Sequence, residues 1–477
     1  MFGPLSRLVP ILALALVLSS CTLWGGDDSG APAQPSSGAT TTAPQSGQSS
    51  ESSPSETDGA TTTEPGTDGD EPEEFFVPEP RPGELFELLG PEDRIVVQSA
   101  ANNLSILTYA GEIAAPTAND ATQPVFSADG SVLAWTTLLS GGATGGVAFA
   151  DVGADGSLSA PDVVAAPVIS FYSVFAPGSS DRLAVLGNSR RGVGVAVVDR
   201  RDVATEVLDE GVPYFFVWNP EGTGFVGHVD ESLRQFDIDS GEGRDAFEVM
   251  PSFRVPGLTA DGATVYVVTQ NLTGGSGMSE VLKVPRDSDG TISSAGSTAV
   301  ARFDGLGSLT MSPDSSRVAI SVEGALSTAR VAFQSTPALD RGLHILDTST
   351  DEVTTITTSA VLGAFWAPNS ELVATVAFDL IGDGNNWARW TVFDMTGAVV
   401  SRSPRFLLSR DFVGAYLPFF DQYAESVSLW SPDSTRFVYS GESMAGDSGI
   451  WLHQLPFDSE GPKTYLVGEG VVAFWSP

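Results

Sequence analysis

From residue 91 onward the chain repeats one pattern. An apolar run ending on a large side chain is followed by a short polar turn and then a second apolar run. The sharpest copies are Met311-Ser312-Pro313-Asp314-Ser315 before Arg317–Ile320, and Trp430-Ser431-Pro432-Asp433-Ser434 before Arg436–Tyr439. Trp366-Ala367-Pro368-Asn369-Ser370, Phe126-Ser127-Ala128-Asp129-Gly130 and Phe175-Ala176-Pro177-Gly178 follow the same grammar. So do Trp218-Asn219-Pro220-Glu221-Gly222 and Leu258-Thr259-Ala260-Asp261-Gly262. Ser suits the first position of a type I turn, Pro presets φ at the second, and Gly or Ser closes it. The aromatic before the turn supplies a large buried surface at the strand end.

Further strands stand where a four-stranded unit needs them. After Arg317–Ser321 come Gly342–Asp347 and Glu352–Thr357, before the next inner strand. The copies recur every roughly 40–64 residues, a spacing that suits one blade of a propeller each. The last run, Val471–Trp475, has no partner after it, and its complement is at the other end of the domain: Ile95–Val97, followed by Leu104–Tyr109. Pairing the two ends in one sheet closes a ring and leaves few exposed edges. The pattern therefore predicts an all-β, eight-bladed β-propeller over residues 91–477, with seven blades as the alternative.

The amino terminus differs. Arg7 precedes an apolar run from Leu8 to Leu18, shorter than the ~20 residues that span a bilayer. It ends in Leu18-Ser19-Ser20-Cys21, which resembles the bacterial lipobox. That resemblance implies a signal peptide over 1–20, lipidation of Cys21 by diacylglyceryl and palmitate-type chains, and anchorage on the extracytoplasmic side of the cell membrane. Residues 21–90 are dominated by Ser, Thr, Gly, Pro, Asp and Glu, too polar to offset their chain entropy by burial. They read as a disordered tether with a flexible-coil reach of roughly 45 Å. Cys21 is the sole cysteine, so no disulfide framework supports the fold.

The chain of 477 residues carries 60 acidic and 23 basic side chains, a formal charge of −37. Such a charge repels nucleic acid and anionic lipid surfaces. The turn-and-strand repeat resembles the TolB-type propeller repeat and is similar to the propeller that caps prolyl oligopeptidases. No hydrolase domain follows, so that family's peptidase activity is not implied. The repeat specifies a fold and not an activity.

Candidate chemistry gathers on one face. In a blade with strands numbered outward, the tight 1–2 turns lie on one side and the 2–3 loops and crossovers on the other. The long insertions Leu138–Gly145, Gln270–Ser279, Glu323–Arg341, Asp379–Ala388 and Gly441–Gly449 fall on the second side. So does a crossover from Ser409 to Glu425, the largest in the chain. Long loops on a rigid scaffold are where binding usually sits. The expected ligand-binding set is Asp379, Asp383, Asn385, Trp387, Arg410, Asp411, Tyr416, Phe419, Phe420, Asp421 and Tyr423. Aromatic planes beside carboxylates suit a glycan or peptide, and the competing reading is that these aromatics pack the crossover onto its blade.

Other motifs are weaker. Gly222-Thr223-Gly224-Phe225-Val226-Gly227 spells a dinucleotide fingerprint with no helix after it. Gly446-Asp447-Ser448-Gly449 sits in a hairpin loop, and His228, His344 and His453 fall in three different units without zinc spacing. Asp287, Asp289 and Asp383 resemble fragments of calcium loops without the full oxygen set. The expectation is a membrane-anchored, non-catalytic scaffold with no cofactor beyond a possible calcium, binding a protein or envelope glycan on the long-loop face. The alternatives are an anchored hydrolase or lyase with carboxylates at the funnel, and a TolB-like helper in envelope assembly.

Overall fold

The computed structural model describes residues 88–477 apart from 115–119, 140–144, 190, 202–205, 249–253, 272–277, 288–289, 324–335 and 457–459. Cys21, residues 21–87 of the expected tether and Asp289 lie outside the described residues, as does much of the insertions at 138–145, 270–279 and 323–341. Leu89, expected in the tether, is instead buried against Ile95 and Val438. Apart from the short strand Ala338–Leu339, added in parallel beside Thr298–Asp304, consecutive strands within a repeat pair antiparallel in chain order as a meander. Thr122–Phe126, Val132–Leu138, Gly145–Asp151 and Asp162–Ala166 form one. The same order runs from Ile169–Phe175 to Val207–Gly211 and from Tyr214–Trp218 to Glu242–Glu248. It runs again from Gly257–Leu258 to Thr298–Asp304 and from Gly307–Met311 to Val353–Thr357.

Among the described residues the strands make seven hydrogen-bonded sheets, one of which has eight strands and spans two sequence repeats. In that sheet Gly363–Trp366, Leu372–Phe378, Ala388–Asp394 and Val399–Arg402 are joined, through the short strand Phe406–Leu408, to Arg436–Ser443, Ser448–Gln454 and Lys463–Gly468. Val472–Trp475 pairs beside Arg94–Gln98, with Ile95 opposite Trp475 and Val97 opposite Ala473. Four-stranded meanders packed face to face around a common axis are the blades of a β-propeller.

Alternation of apolar positions holds the sheets together. Val132, Phe149 and Val164 of one sheet meet Phe175, Leu183 and Val198 of the next in one cluster. Ile95, Val97 and Leu107 pack in the same way against Val438, Ile450 and Leu452. Phe149 and Phe175 meet edge to face at 6.2 Å, a geometry their ring quadrupoles favour.

The repeated turn explains its own composition. Ser127, Thr259, Ser312 and Ser431 donate from their hydroxyls to Asp129, Asp261, Asp314 and Asp433 at 2.5–2.7 Å. Each carboxylate then accepts the backbone N–H two residues on. The residue after the Asp or Asn adopts positive φ: 67° at Gly130, 66° at Gly262, 59° at Ser315, 60° at Ser370 and 60° at Ser434. Glycine takes this conformation without steric cost, and the three serines gain something in return. Ser315, Ser370 and Ser434 accept the N–H groups of Ala260, Asp314 and Asn369 in the preceding turn at 2.9–3.1 Å.

Tryptophan before the turn serves a related purpose. Trp218, Trp366 and Trp430 donate from Nε1 to Val174, Thr310 and Phe365, carbonyls on the inner strand of the preceding repeat, at 3.3, 3.1 and 3.0 Å. Neighbouring units are thus linked at the turn and at the strand end. Among the described residues no helix is long and apolar enough to cross a membrane.

Candidate functional site

The innermost strand of the last full repeat is broken. Phe406–Leu408 pairs with Ser443–Gly441 at one end of the strand Arg436–Ser443. Leu429 accepts from Val438 N–H, and Trp430 bridges to Phe437, at the other end. Between the two half-strands, residues 410–427 leave the sheet and return. They form short helical turns at Phe412–Tyr416, Leu417–Phe419 and Phe420–Tyr423. Gly441 permits the junction: a Cβ there would sit 2.4 Å from the Leu407 carbonyl.

This excursion enters the central axis and touches inner strands around it. Tyr423 donates from its hydroxyl to the Phe171 carbonyl at 2.6 Å and lies 2.9 Å from Gln123 Oε1. Gln422 accepts from Phe216 N–H at 3.0 Å and donates to Phe216 C=O at 2.8 Å, closing both backbone groups of an otherwise open strand edge. Asp421 Oδ2 accepts from Val255 N–H at 3.3 Å. Phe420 packs on Phe365 at 5.9 Å, and Tyr416 on Phe474 at 5.2 Å. Gly363 admits Leu417 and Phe420, which a Cβ would meet at 3.1–3.3 Å. The segment is therefore a hub filling the channel, whereas the sequence alone reads it as a crossover on the long-loop face.

The residues expected to form a ligand site on that face are placed as follows. Tyr416, Phe420, Asp421 and Tyr423 are buried in the hub, and Phe419 is half-buried against Phe215 at 6.2 Å. They do not offer open aromatic planes, because their rings fill the space between inner strands. Arg410 and Asp411 are exposed where the hub segment begins. Asp379 is held by two guanidinium groups, with Oδ2 2.9 Å from Nε of Arg389 and of Arg405. Asp383 accepts from Trp387 Nε1 at 2.7 Å and from the N–H of Asn385 at 3.0 Å, so this loop closes on itself. Those donors, Trp387 first, hold the Asp383 carboxyl below its usual range.

Buried charge in the hub is compensated on one side. Asp421, fully buried, faces Arg254 Nη1 at 3.5 Å, and Arg254 also meets Glu323 at 2.8 Å. Burial raises the Asp421 carboxyl, and Arg254 opposes that shift. Glu425 is different. It is half-buried, and its carboxylate makes no hydrogen bond or ion pair with a described residue. Burial, helped by the nearby Asp421, pushes it up to about 7.

Glu425 lies between two adjoining recesses of about 360 and about 300 Å³. Both sit at the tight-turn end of the channel, since the turn residues Pro177, Pro220 and Ala260 line the first, and Ala128 and Pro477 the second. Tyr172, Phe216 and Trp218 wall the first, Phe126 and Trp475 the second, and Phe175 is common to both. The concavity is thus on the face to which the sequence assigns only short links. Glu425 and Gln422 were within reach of the sequence, as polar residues in an aromatic-rich run, but nothing local marks which of them faces the axis.

Two of the histidines are held by hydrogen bonds within their sheets. His453 sits between Ser401 and Thr464 hydroxyls, both at 2.8 Å, and burial lowers it to about 3. His344 meets Thr355 Oγ1 at 3.1 Å and the Asp340 carbonyl at 2.8 Å. Among the described residues no three His, Cys, Asp or Glu side chains gather as a metal set. Asp287 is an exposed turn residue whose carbonyl accepts from Gly290 N–H at 2.8 Å.

No protein-family model matches the chain, and no curated protein matches it. Among solved structures, it is similar to an oligogalacturonate lyase in complex with manganese, at 11% identity over 70% of this chain and 82% of that one, with a TM-score of 0.38. It is also similar to TolB from Acinetobacter baumannii, at 13% identity over 72% of this chain and 82% of that one, with a TM-score of 0.34. A third likeness is to the tricorn protease, at 12% identity over 78% of this chain and 39% of that one, with a TM-score of 0.42. These are distant likenesses.

Proposed function

We propose that the chain is an extracytoplasmic lipoprotein, anchored through Cys21, whose eight-bladed propeller is a binding scaffold for a protein or an envelope glycan. In this reading Val472–Trp475 shuts the ring beside Arg94–Gln98, and residues 21–90 hold the propeller away from the membrane. The observation that supports it is the filled axis. The hub turns a through-channel into a blind, aromatic-walled recess at the turn face, and such recesses suit a docked ligand group. A TolB-like role in envelope assembly falls within this reading, differing only in partner.

The test is capture by the full-length protein in detergent micelles, from envelope extract and from a panel of envelope glycans. Stoichiometric retention of one partner supports the scaffold, and Cys21→Ser moves the protein from the membrane to the aqueous fraction. The raised Glu425 carboxyl favours one alternative, a hydrolase or lyase using it as a general acid or base near neutral pH. Turnover of a polysaccharide or peptide, abolished in Glu425→Gln, would replace the scaffold with that enzyme.

A further inference from the structure

We propose that the recess beside Glu425 binds an organic cation, a primary ammonium or guanidinium group carried on a short apolar stem. This deepens the scaffold reading and rests on it, by assigning the chemistry that the recess recognises.

The argument begins with charge. Glu425 is the one charged side chain among the residues lining either recess, and the rest are apolar apart from Thr259, Ser426, Ser428 and the Tyr172 hydroxyl. A half-buried carboxylate with no cation beside it is costly, and a cationic ligand removes that cost. An anion entering the recess would meet only repulsion. A polyol needs several donors and acceptors, and these walls offer few. Neutral apolar ligands fit the walls but leave the carboxylate as it was.

The walls add a second attraction. Phe126, Tyr172, Phe175, Phe216, Trp218 and Trp475 surround the two spaces. An aromatic face attracts an ammonium or guanidinium by roughly 0.5–2 kcal/mol, more where water is excluded. The described residues already include such a pairing, with the Arg436 guanidinium 5.3 Å from the centre of the Trp475 ring. An apolar stem would lie against Val174, Val217 and Leu258 while its charged end meets Glu425.

Binding should move a proton. The titratable groups around Glu425 are Asp421 on its own segment, held against Arg254, and Tyr172 and Tyr423. Both tyrosines are pushed up by burial and stay protonated. Glu425, poised at about 7, is the group that changes charge when a cation arrives. At pH 7 capture of a cation should therefore release about half a proton.

The experiment is isothermal titration of the full-length protein in detergent with n-butylguanidinium and, as neutral isostere, n-butylurea. Titrations run at pH 7 in phosphate and in Tris, whose ionisation heats differ. The expected result is that butylguanidinium binds at least tenfold tighter than butylurea and releases a proton fraction read from the buffer dependence. Glu425→Gln should remove both the preference and the proton release. Equal affinity for the urea, binding unaffected in Glu425→Gln, no proton release by the unaltered protein, or no detectable binding of the cation would each overturn the proposal. The proton release needs no variant, so a folding defect in Glu425→Gln does not shelter it. A captured partner that excess butylguanidinium fails to displace sinks this inference alone, and glycan turnover with intact cation binding sinks the scaffold reading alone.

Discussion

Replacing Gln422 by leucine tests whether the hub holds the inner strands by hydrogen bonding or merely fills space. Gln422 is 2% exposed, and its amide closes both backbone groups of Phe216, at 3.0 and 2.8 Å. Leucine has a similar volume, so packing is largely kept and the polar loss is isolated. Leaving a buried donor and a buried acceptor unpaired costs about 1–3 kcal/mol each. Part is returned because the glutamine amide no longer needs to be buried, which leaves about 2–4 kcal/mol. Native-state hydrogen exchange of the segment Tyr214–Trp218, followed by mass spectrometry, reads this locally. With about 1.4 kcal/mol per factor of ten, the Phe216 amide should exchange about 30- to 700-fold faster in Gln422→Leu. A control strand such as Val132–Leu138 should change little. An exchange rate at Phe216 within about twofold of the parent would refute the reasoning, and the hub would then be passive filler.

Other consequences follow from the turns and the buried acids. Trp430→Phe loses the indole donor to the Phe365 carbonyl and should cost about 1 kcal/mol in urea unfolding beyond the area lost with the smaller ring; parent-like stability would contradict the role of that bond. At Ser434, with φ of 60°, alanine loses the bond from Asn369 N–H and keeps the strain; glycine loses the bond but relieves the strain. Ser434→Ala should therefore be less stable than Ser434→Gly by about 1 kcal/mol in the same assay. Glu425, raised from 4.5 to about 7 in the fold, binds more protons folded than unfolded between those values. Its contribution to stability is thus full below pH 4.5 and is lost as pH rises to about 7. Melting scans across pH 4.5–7 should show a downward slope with rising pH that is shallower in Glu425→Gln; parallel curves would contradict it.

The parts of the fold written in local chemistry could be read from the sequence. The Ser-Pro-Asp turns hydrogen-bond as their residue types require, and Val472–Trp475 does lie beside Arg94–Gln98. Why Trp stands before three of the turns could not be read, because its partner is a carbonyl on the preceding unit, more than 40 residues earlier in the chain. The hub was illegible for a similar reason. Phe406–Leu408 and Leu429–Trp430 each look like a fragment too short to be a strand, and only their shared partner, Arg436–Ser443, makes them one position. Without that, the aromatic-rich run between them reads as an external crossover. The concavity followed the hub to the opposite face. Asp379 and Asp383 carried the right chemistry for a site, but their charges are already met by Arg389, Arg405 and Trp387.

Modular arrays built from similar units ordinarily obey nearest-neighbour energetics, so that one unit can loosen while a distant one stays intact. Here a single stretch of chain behaves like an axle. Phe171, Phe216, Phe365 and Phe474, on strands far apart in sequence, and Val255, just before a strand, all bear on it. Loosening any of them disturbs the common bearing and so weakens several units at once. Unfolding should accordingly be more all-or-none than the count of repeats suggests.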